Sequence, residues 1–358
     1  MKTRKLENYG SSVGVEVYDV DWNNQEEVLA LGKLCASECI VFLDEDIGIH
    51  KLSNAMNSWG DPAGALIHEF LRTGKLQGRH WREIYLALGY TVSDIPKDLH
   101  NNVATVTYKR DEKGRAKGAF SNGELAWHSD QCSFDDAQRV IGLQSVSDTA
   151  NSQTTFLCTH DAFDKMSAEM QSTVRELVVN HRWRDGVMAP GLNSMQTLII
   201  HYNMVPVDGM QTRLYRETAS GLPGIKLPTH SFDGFEGMTQ NESKRLMEEL
   251  HRLILRPEYV YTRDWQDGQV VFMDQEITLH ARPTNIKDGD LRQMTRVISY
   301  VNNIFPNSQR ANTVNFKNQV ITHEQLCDLV DQDRHDIFNK EQQGSYVPAD
   351  NAIWAEEK

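Results

Sequence analysis

The sequence predicts a mainly β fold with flanking helices, a sandwich or barrel rather than a doubly wound parallel sheet. Three observations carry that prediction. Short runs rich in β-branched and aromatic residues recur at 103–108, 140–146, 154–157, 198–202, 259–263, 269–273 and 295–301. Long irregular stretches separate them, where a parallel sheet would need regular crossover helices. Apolar residues make up 39% of the 358 positions, so a sizeable core is available.

The helices follow from their caps and periodicity. After Asn23, the residues Val28, Leu31 and Cys35 keep helical spacing, with Asn23 or Asn24 as N-cap. Glu26 and Glu27 then lie at the positive end of that helix's dipole. A second helix is expected over 166–179. A third opens on the capping box Thr239-Gln240-Asn241-Glu242, lines up Leu246, Leu250, Leu253 and Ile254, and stops at Arg256-Pro257. A further box, Thr322-His323-Glu324-Gln325, predicts a short helix through Leu326 and Val330 towards Phe338. The stretch 184–237, punctuated by Gly and Pro, reads as loops over a site mouth.

Composition excludes partners before it suggests any. Thirty-seven basic against fifty acidic residues leave a net charge of −13. That argues against nucleic acid or an anionic membrane, which are held mainly by Lys and Arg. The first eight residues are basic but no apolar stretch follows, so no secretory signal is expected, and no run of about 18 apolar residues exists to span a bilayer. Five scattered cysteines, Cys35, Cys39, Cys132, Cys158 and Cys327, read as reduced thiols of a cytoplasmic protein. Gly10-Ser11-Ser12-Val13-Gly14 matches a nucleophile-elbow pattern but lacks the strand–turn–helix setting that activates the serine. No dinucleotide fingerprint, Walker loop or His-Glu-x-x-His motif is present.

One constellation survives. In Trp127-His128-Ser129-Asp130, an extended backbone puts the imidazole and the carboxylate on one face. A lone match means little in a chain of 13 histidines and 50 acids. A second element is the strand-like run 269–273, a turn, and then His280. A third is Arg292-Gln293-Met294-Thr295-Arg296, whose two arginines share a strand face. Two histidines and one carboxylate on one face of a metal leave positions open, the signature of non-haem Fe(II) oxygenases. An arginine about a dozen residues after the second histidine is suited to anchoring a dicarboxylate co-substrate. Taken singly, a capped turn or a satisfied core histidine explains His128, Asp130 and His280, a surface strand position explains Arg292, and a barrel-wall ion pair explains Arg296. Asp274 reads as a turn residue, Trp127 and Phe156 as packing, and His160, His201 and His230 as structural.

Taken together, order and spacing resemble the taurine dioxygenase (TauD/TfdA) family of Fe(II)- and 2-oxoglutarate-dependent oxygenases, over roughly 103–301. The resemblance implies a double-stranded β-helix (jelly-roll) core and Fe(II) held by His128, Asp130 and His280. It implies 2-oxoglutarate anchored at its distal carboxylate by Arg292 and by Thr154, with Thr155 as the alternative, and Arg296 set against an anionic substrate. Asn151-Ser152 stands where members often carry a glycine pair, and Gln275 where an asparagine is common. With O2, such an enzyme couples loss of CO2 and succinate to hydrogen abstraction from an unactivated carbon. Hydroxylation is the default outcome, and oxidative cyclisation or desaturation begins in the same way. An aspartate at 130 disfavours halogenation, for which related enzymes carry a small residue there. A small-molecule substrate, anionic or amino-acid-like, is expected. The implied layout is one domain over 1–305, with a core about 103–301 and a loop insertion about 184–237, then a helical extension and tail over 306–358. The rival from another class is a jelly roll that binds a metal and a ligand without redox chemistry; it has no need of Arg292.

Overall fold

The computed structural model describes residues 1–63, 99, 102–109, 112, 125–130, 138–150, 152–182, 208–228, 231–283, 291–308, 313–316, 319–322 and 325. Its centre is a seven-stranded sheet in the order β1 (Lys2–Lys5), β2 (Val15–Tyr18), β3 (Ile40–Leu43), β14 (Val270–Asp274), β6 (Arg139–Ser147), β16 (Gln293–Tyr300) and β4 (Val103–Thr107). Only β2 and β3 run parallel in it. Facing it is a four-stranded antiparallel sheet, β13 (Tyr261–Asp264), β7 (Gln153–Cys158), β15 (Thr278–Arg282) and β5 (Leu125–His128). These two sheets are the expected double-stranded β-helix.

Alternation along the strands builds the layers. Ile40, Phe42, Ile141, Leu143, Val271, Met273, Met294 and Ile298 of the large sheet meet Phe156, Cys158 and Trp265 in the core between the sheets. The intervening residues Val41, Val140, Val270, Phe272 and Val297 point the other way. There they pack on α1 (Gln25–Glu38) and α2 (Gly48–Trp59) through Leu31, Cys35, Leu52, Met56 and Trp59. Burial on both faces is why 270–273 reads as an unbroken apolar run. At Gly142 a Cβ would collide with Met56 Sδ, so glycine lets α2 approach the sheet closely.

On the outer side of the small sheet, Leu157 and Leu279 pack against α3 (His160–Asp164), α4 (Ala168–Glu176) and α5 (Gln240–Ile254). Next to them lies a five-stranded sheet, β12 (Phe232–Phe235), β8 (Val178–Arg182), β9 (Asp208–Arg213), β17 (Thr313–Phe316) and β18 (Gln319–Thr322). A hairpin of β10 (Tyr215–Glu217) and β11 (Pro223–Ile225) completes the described strands.

Several expectations are met and several are corrected. Asn24 caps α1 by accepting from the Glu26 N–H at 3.0 Å, and Thr239 and Glu242 form both bonds of a capping box on α5. The helix expected over 166–179 is shorter, α4, and gives way to β8. Leu177 turns extended, and the β-branched pair Val178-Val179 joins β9 rather than continuing a helix. The 184–237 stretch is not only loops, since β9 to β12 fall within it. The described residues of the 306–358 extension include strand as well as helix, the helical one being Gln325. Strands β17 and β18, rich in β-branched residues, pair antiparallel with each other, and β17 pairs with β9 at Phe316 and Met210. The core also starts well before residue 103, because β1, β2 and β3 supply three of the seven strands. The expected strand at 198–202 and nearly all of the short helix after Thr322 lie outside the described residues.

His181, on β8, is buried between the hydroxyls of Ser231 and Thr212, each 2.8 Å from a ring nitrogen. Burial, and then the charge of Lys226, push its pKa down to about 3. The neutral ring therefore contributes stability above its unfolded value of about 6.5, and that contribution is lost as pH falls towards 3. Between these limits the unfolding free energy of the wild type is expected to fall more steeply on acidification than that of His181→Gln. The expected difference is up to about 1.4 kcal/mol per pH unit, read from urea titrations at several pH values. Equal slopes would refute the buried neutral imidazole.

Candidate active site

The two halves of the constellation meet across one pair of strands. On β5 and β15, His128 and His280 are direct antiparallel partners, so both side chains leave the same face of the small sheet. Their ring centroids are 4.1 Å apart. Phe156 pairs with His280 from the other neighbour, β7, and Thr154, two residues back, shares that face. His128, Asp130 and His280 each offer a ligand atom, and these atoms lie within 4.8 Å of one another. Two imidazoles and a carboxylate converging on one point fit the donor set of a non-haem ferrous centre.

Hydrogen bonds settle which atoms face that point. His128 Nδ1 is 2.7 Å from the Ala126 carbonyl, which can only accept, so Nδ1 carries the proton and Nε2 is left with its lone pair. Nε2 lies 3.5 Å from Asp130 Oδ1. The other carboxylate oxygen, Oδ2, accepts from Arg296 Nη1 at 2.6 Å. The buried Nδ1 of His280 has no hydrogen-bond partner among the described residues.

Electrostatics prepare the group for a cation. Burial opposes ionisation of Asp130, yet Arg296 and the two imidazoles outweigh it and hold the carboxyl down to about 2. Burial, then the neighbouring His280, push His128 down to about 3, and burial also lowers His280. At neutral pH the trio is therefore one carboxylate and two neutral imidazoles, the protonation state that binds a metal.

The anion-binding candidates occupy the surrounding walls. Arg296 lies on β16 of the large sheet, opposite Leu143 and Ala104, and its side chain is 31% exposed. The structure thus ties this arginine to the carboxylate of Asp130. Arg292 immediately precedes β16 and is buried, its guanidinium 5.0 Å from the centre of the Tyr108 ring. Arg282 stacks on the same ring at 5.1 Å. Thr154 is buried, and its hydroxyl accepts from Trp265 Nε1 at 2.9 Å, which leaves its own proton to donate. Thr155 instead donates to the Ala281 carbonyl at 3.2 Å, within the sheet.

Sequence reasoning passed over the groups that support this site. Tyr108, Arg282 and Trp265 carry no motif of their own. Arg282, two residues beyond His280 on a strand, was the one with a positional signal. Glu276 is also buried and pairs with Arg216 Nε at 2.7 Å and Lys226 Nζ at 3.2 Å. That triad fastens the β10–β11 region to the turn that leads into β15. Asp274 does cap that turn, as expected of a turn residue, its Oδ2 accepting from the N–H groups of Glu276 and Ile277.

Comparison with known proteins places this geometry. The model of the family described as "Taurine catabolism dioxygenase TauD, TfdA family" matches residues 7–298. Pentalenolactone F synthase of Streptomyces arenae is 23% identical over 279 residues, covering 67% of this chain and 93% of that protein. Among solved structures, a taurine dioxygenase from Burkholderia xenovorans is similar with a TM-score of 0.57 at 19% identity, covering 86% of this chain and 94% of that one. AAD-2, solved in complex with Mn(II) and N-oxalylglycine, is similar with a TM-score of 0.60 at 16% identity, over 84% and 98% of the two chains.

Proposed function

The chain belongs to the TauD/TfdA family of Fe(II)- and 2-oxoglutarate-dependent dioxygenases, and from that premise we propose that it oxidises a C–H bond of a small anionic or amino-acid-like molecule. The observation that carries the site assignment is the convergence of His128, Asp130 and His280 within 4.8 Å. These three residues would hold Fe(II), and Arg292 with Thr154 would hold the distal carboxylate of 2-oxoglutarate. When bound, the metal supplies activation of O2, driven by conversion of 2-oxoglutarate to succinate and CO2.

The chain's own residues prepare that chemistry. The Ala126 carbonyl fixes the tautomer of His128. Arg296 keeps Asp130 ionised, and its partly exposed guanidinium is placed to receive a substrate carboxylate as well. Arg292, rigid on the Tyr108 ring, presents a planar fork to a dicarboxylate. In a chain of net charge −13, these local cations are what draws an anion in.

Hydroxylation is the first reading of the outcome. Oxidative cyclisation or desaturation is the second, favoured by similarity to a relative named as a synthase, Pentalenolactone F synthase. We place the catalytic unit in 1–305, with 306–358 as an extension. A cytoplasmic location is supported by Cys35, Cys39 and Cys158, all free thiols. Among the described residues no helix is long and apolar enough to cross a membrane.

A screen of small carboxylic acids and amino acids for substrate-dependent succinate release tests the proposal. One class is expected to raise succinate well above the uncoupled background, with a matching product mass gain of one oxygen or loss of two hydrogens. Background rates for every acid would overturn the small-anion reading.

A further inference from the structure

We propose that Gln275 is a positioning residue for the metal centre, its side-chain amide standing in for a missing strand partner of Asp130. The inference rests on the reading that Asp130 is an iron ligand.

The β5–β15 ladder ends at the pair His128–His280. The next two residues, Ser129 and Asp130, have left the strand, so their backbone groups need partners from elsewhere. Gln275 provides one for the Asp130 N–H from 145 residues away in the chain. Its Oε1 accepts from the Asp130 backbone N–H at 2.8 Å and faces Ser129 Oγ at 3.4 Å, and Ser129 Oγ donates to the Gln275 carbonyl at 2.8 Å. The amide can face only one way. A backbone N–H can only donate, so the atom opposite Asp130 is oxygen. The remaining Nε2 donates to the Asp274 carbonyl at 3.0 Å.

The anchor itself is fixed. Gln275 is 1% exposed. On one side Asp274 is held by the N–H groups of Glu276 and Ile277 and by Gln138 Nε2 at 2.6 Å. On the other side Glu276 is held by Arg216 and Lys226. The same turn leads within a few residues to His280. Gln275 thereby ties two ligands, Asp130 and His280, to one rigid reference, setting their separation before any metal arrives. A simple packing role would not need an acceptor aimed at that one N–H.

Two readouts test this in the full-length protein. Backbone amide exchange at Asp130 in the metal-free protein reports the hydrogen bond directly, and anaerobic titration with Fe(II) in the presence of 2-oxoglutarate reports ligand placement. Gln275→Met is expected to lose protection at Asp130 and to bind Fe(II) about 10–100-fold more weakly. Gln275→Asn, one methylene shorter, should fall between it and the wild type, and it carries the test if the methionine variant does not fold. Gln144→Met removes an equally buried glutamine, bonded to Asp46 at 2.6 Å, from a site away from the metal. It should lower stability but leave both readouts unchanged. Wild-type protection and affinity in Gln275→Met, or an equal loss in Gln144→Met, would overturn the proposal. A wild type that binds no Fe(II) would instead overturn the site assignment, and the exchange at Asp130 separates the two failures.

Discussion

Replacing Asp130 with asparagine is expected to weaken Fe(II) binding by more than about 100-fold, beyond the 10–100-fold that outer partners of metal ligands typically command. The substitution keeps the shape of the side chain and its place beside His128, so the loss isolates the charge. Two further consequences separate it from unfolding. Arg296 would face an uncharged amide in place of the carboxylate it contacts at 2.6 Å. The two imidazoles would remain partners across β5 and β15, so the metal-free fold should survive. Circular dichroism and the succinate yield per enzyme measure the two separately. Native ellipticity with no succinate supports the assignment, whereas wild-type turnover contradicts it.

Truncating Arg292 is the second large effect. Breaking a buried, hydrogen-bonded ion pair costs about 3–5 kcal/mol, which corresponds to roughly 10²–10³-fold or more in affinity. Arg292→Met is therefore expected to raise the KM for 2-oxoglutarate by at least about 100-fold while leaving Fe(II) affinity in the absence of co-substrate within about threefold. Arg292→Lys should recover little of this, because an ammonium has neither the planar fork nor the flat face that rests on Tyr108. The split between the two ligands is the signature of an anchor for the dicarboxylate. Equal losses for metal and co-substrate would mean that Arg292 merely supports the wall.

Much of this was legible in the sequence because it is local. The capping box at Thr239–Glu242, the N-cap at Asn24 and the apolar runs of β6, β14 and β16 are each encoded within a few residues. What was not legible depends on the tertiary environment. Helix α2 has Ile47 at its N-cap with no side-chain cap bond, so no start signal accompanies the helical spacing of Leu52, Met56 and Trp59. The strand β1 is the fully exposed Lys-Thr-Arg-Lys, a strand only because β2 pairs with it. Strand β17 carries no hairpin or turn signal tying it to β9, and it pairs there at Phe316 and Met210, far apart in the chain.

The site divides along the same line. His128, Asp130 and His280 were legible from type, order and spacing. Their supports are not local: Arg296 meets Asp130 across 166 residues, Gln275 meets it across 145, and Trp265 meets Thr154 across 111. The reversal from a family pattern at Gln275 was visible, but its meaning was not until the turn beneath it had been placed. An ion pair was one of two readings of Arg296 open from sequence, and the structure gives it Asp130 as partner; the substrate role is part of the proposed function.

The most direct test of the central assignment is anaerobic titration of the metal-free protein with Fe(II) and 2-oxoglutarate, followed by visible absorption. A weak charge-transfer band is predicted, saturating at one Fe(II) per chain, absent in Asp130→Asn and requiring far more 2-oxoglutarate in Arg292→Met. No band in the wild type, or an undiminished band in Asp130→Asn, would contradict the account.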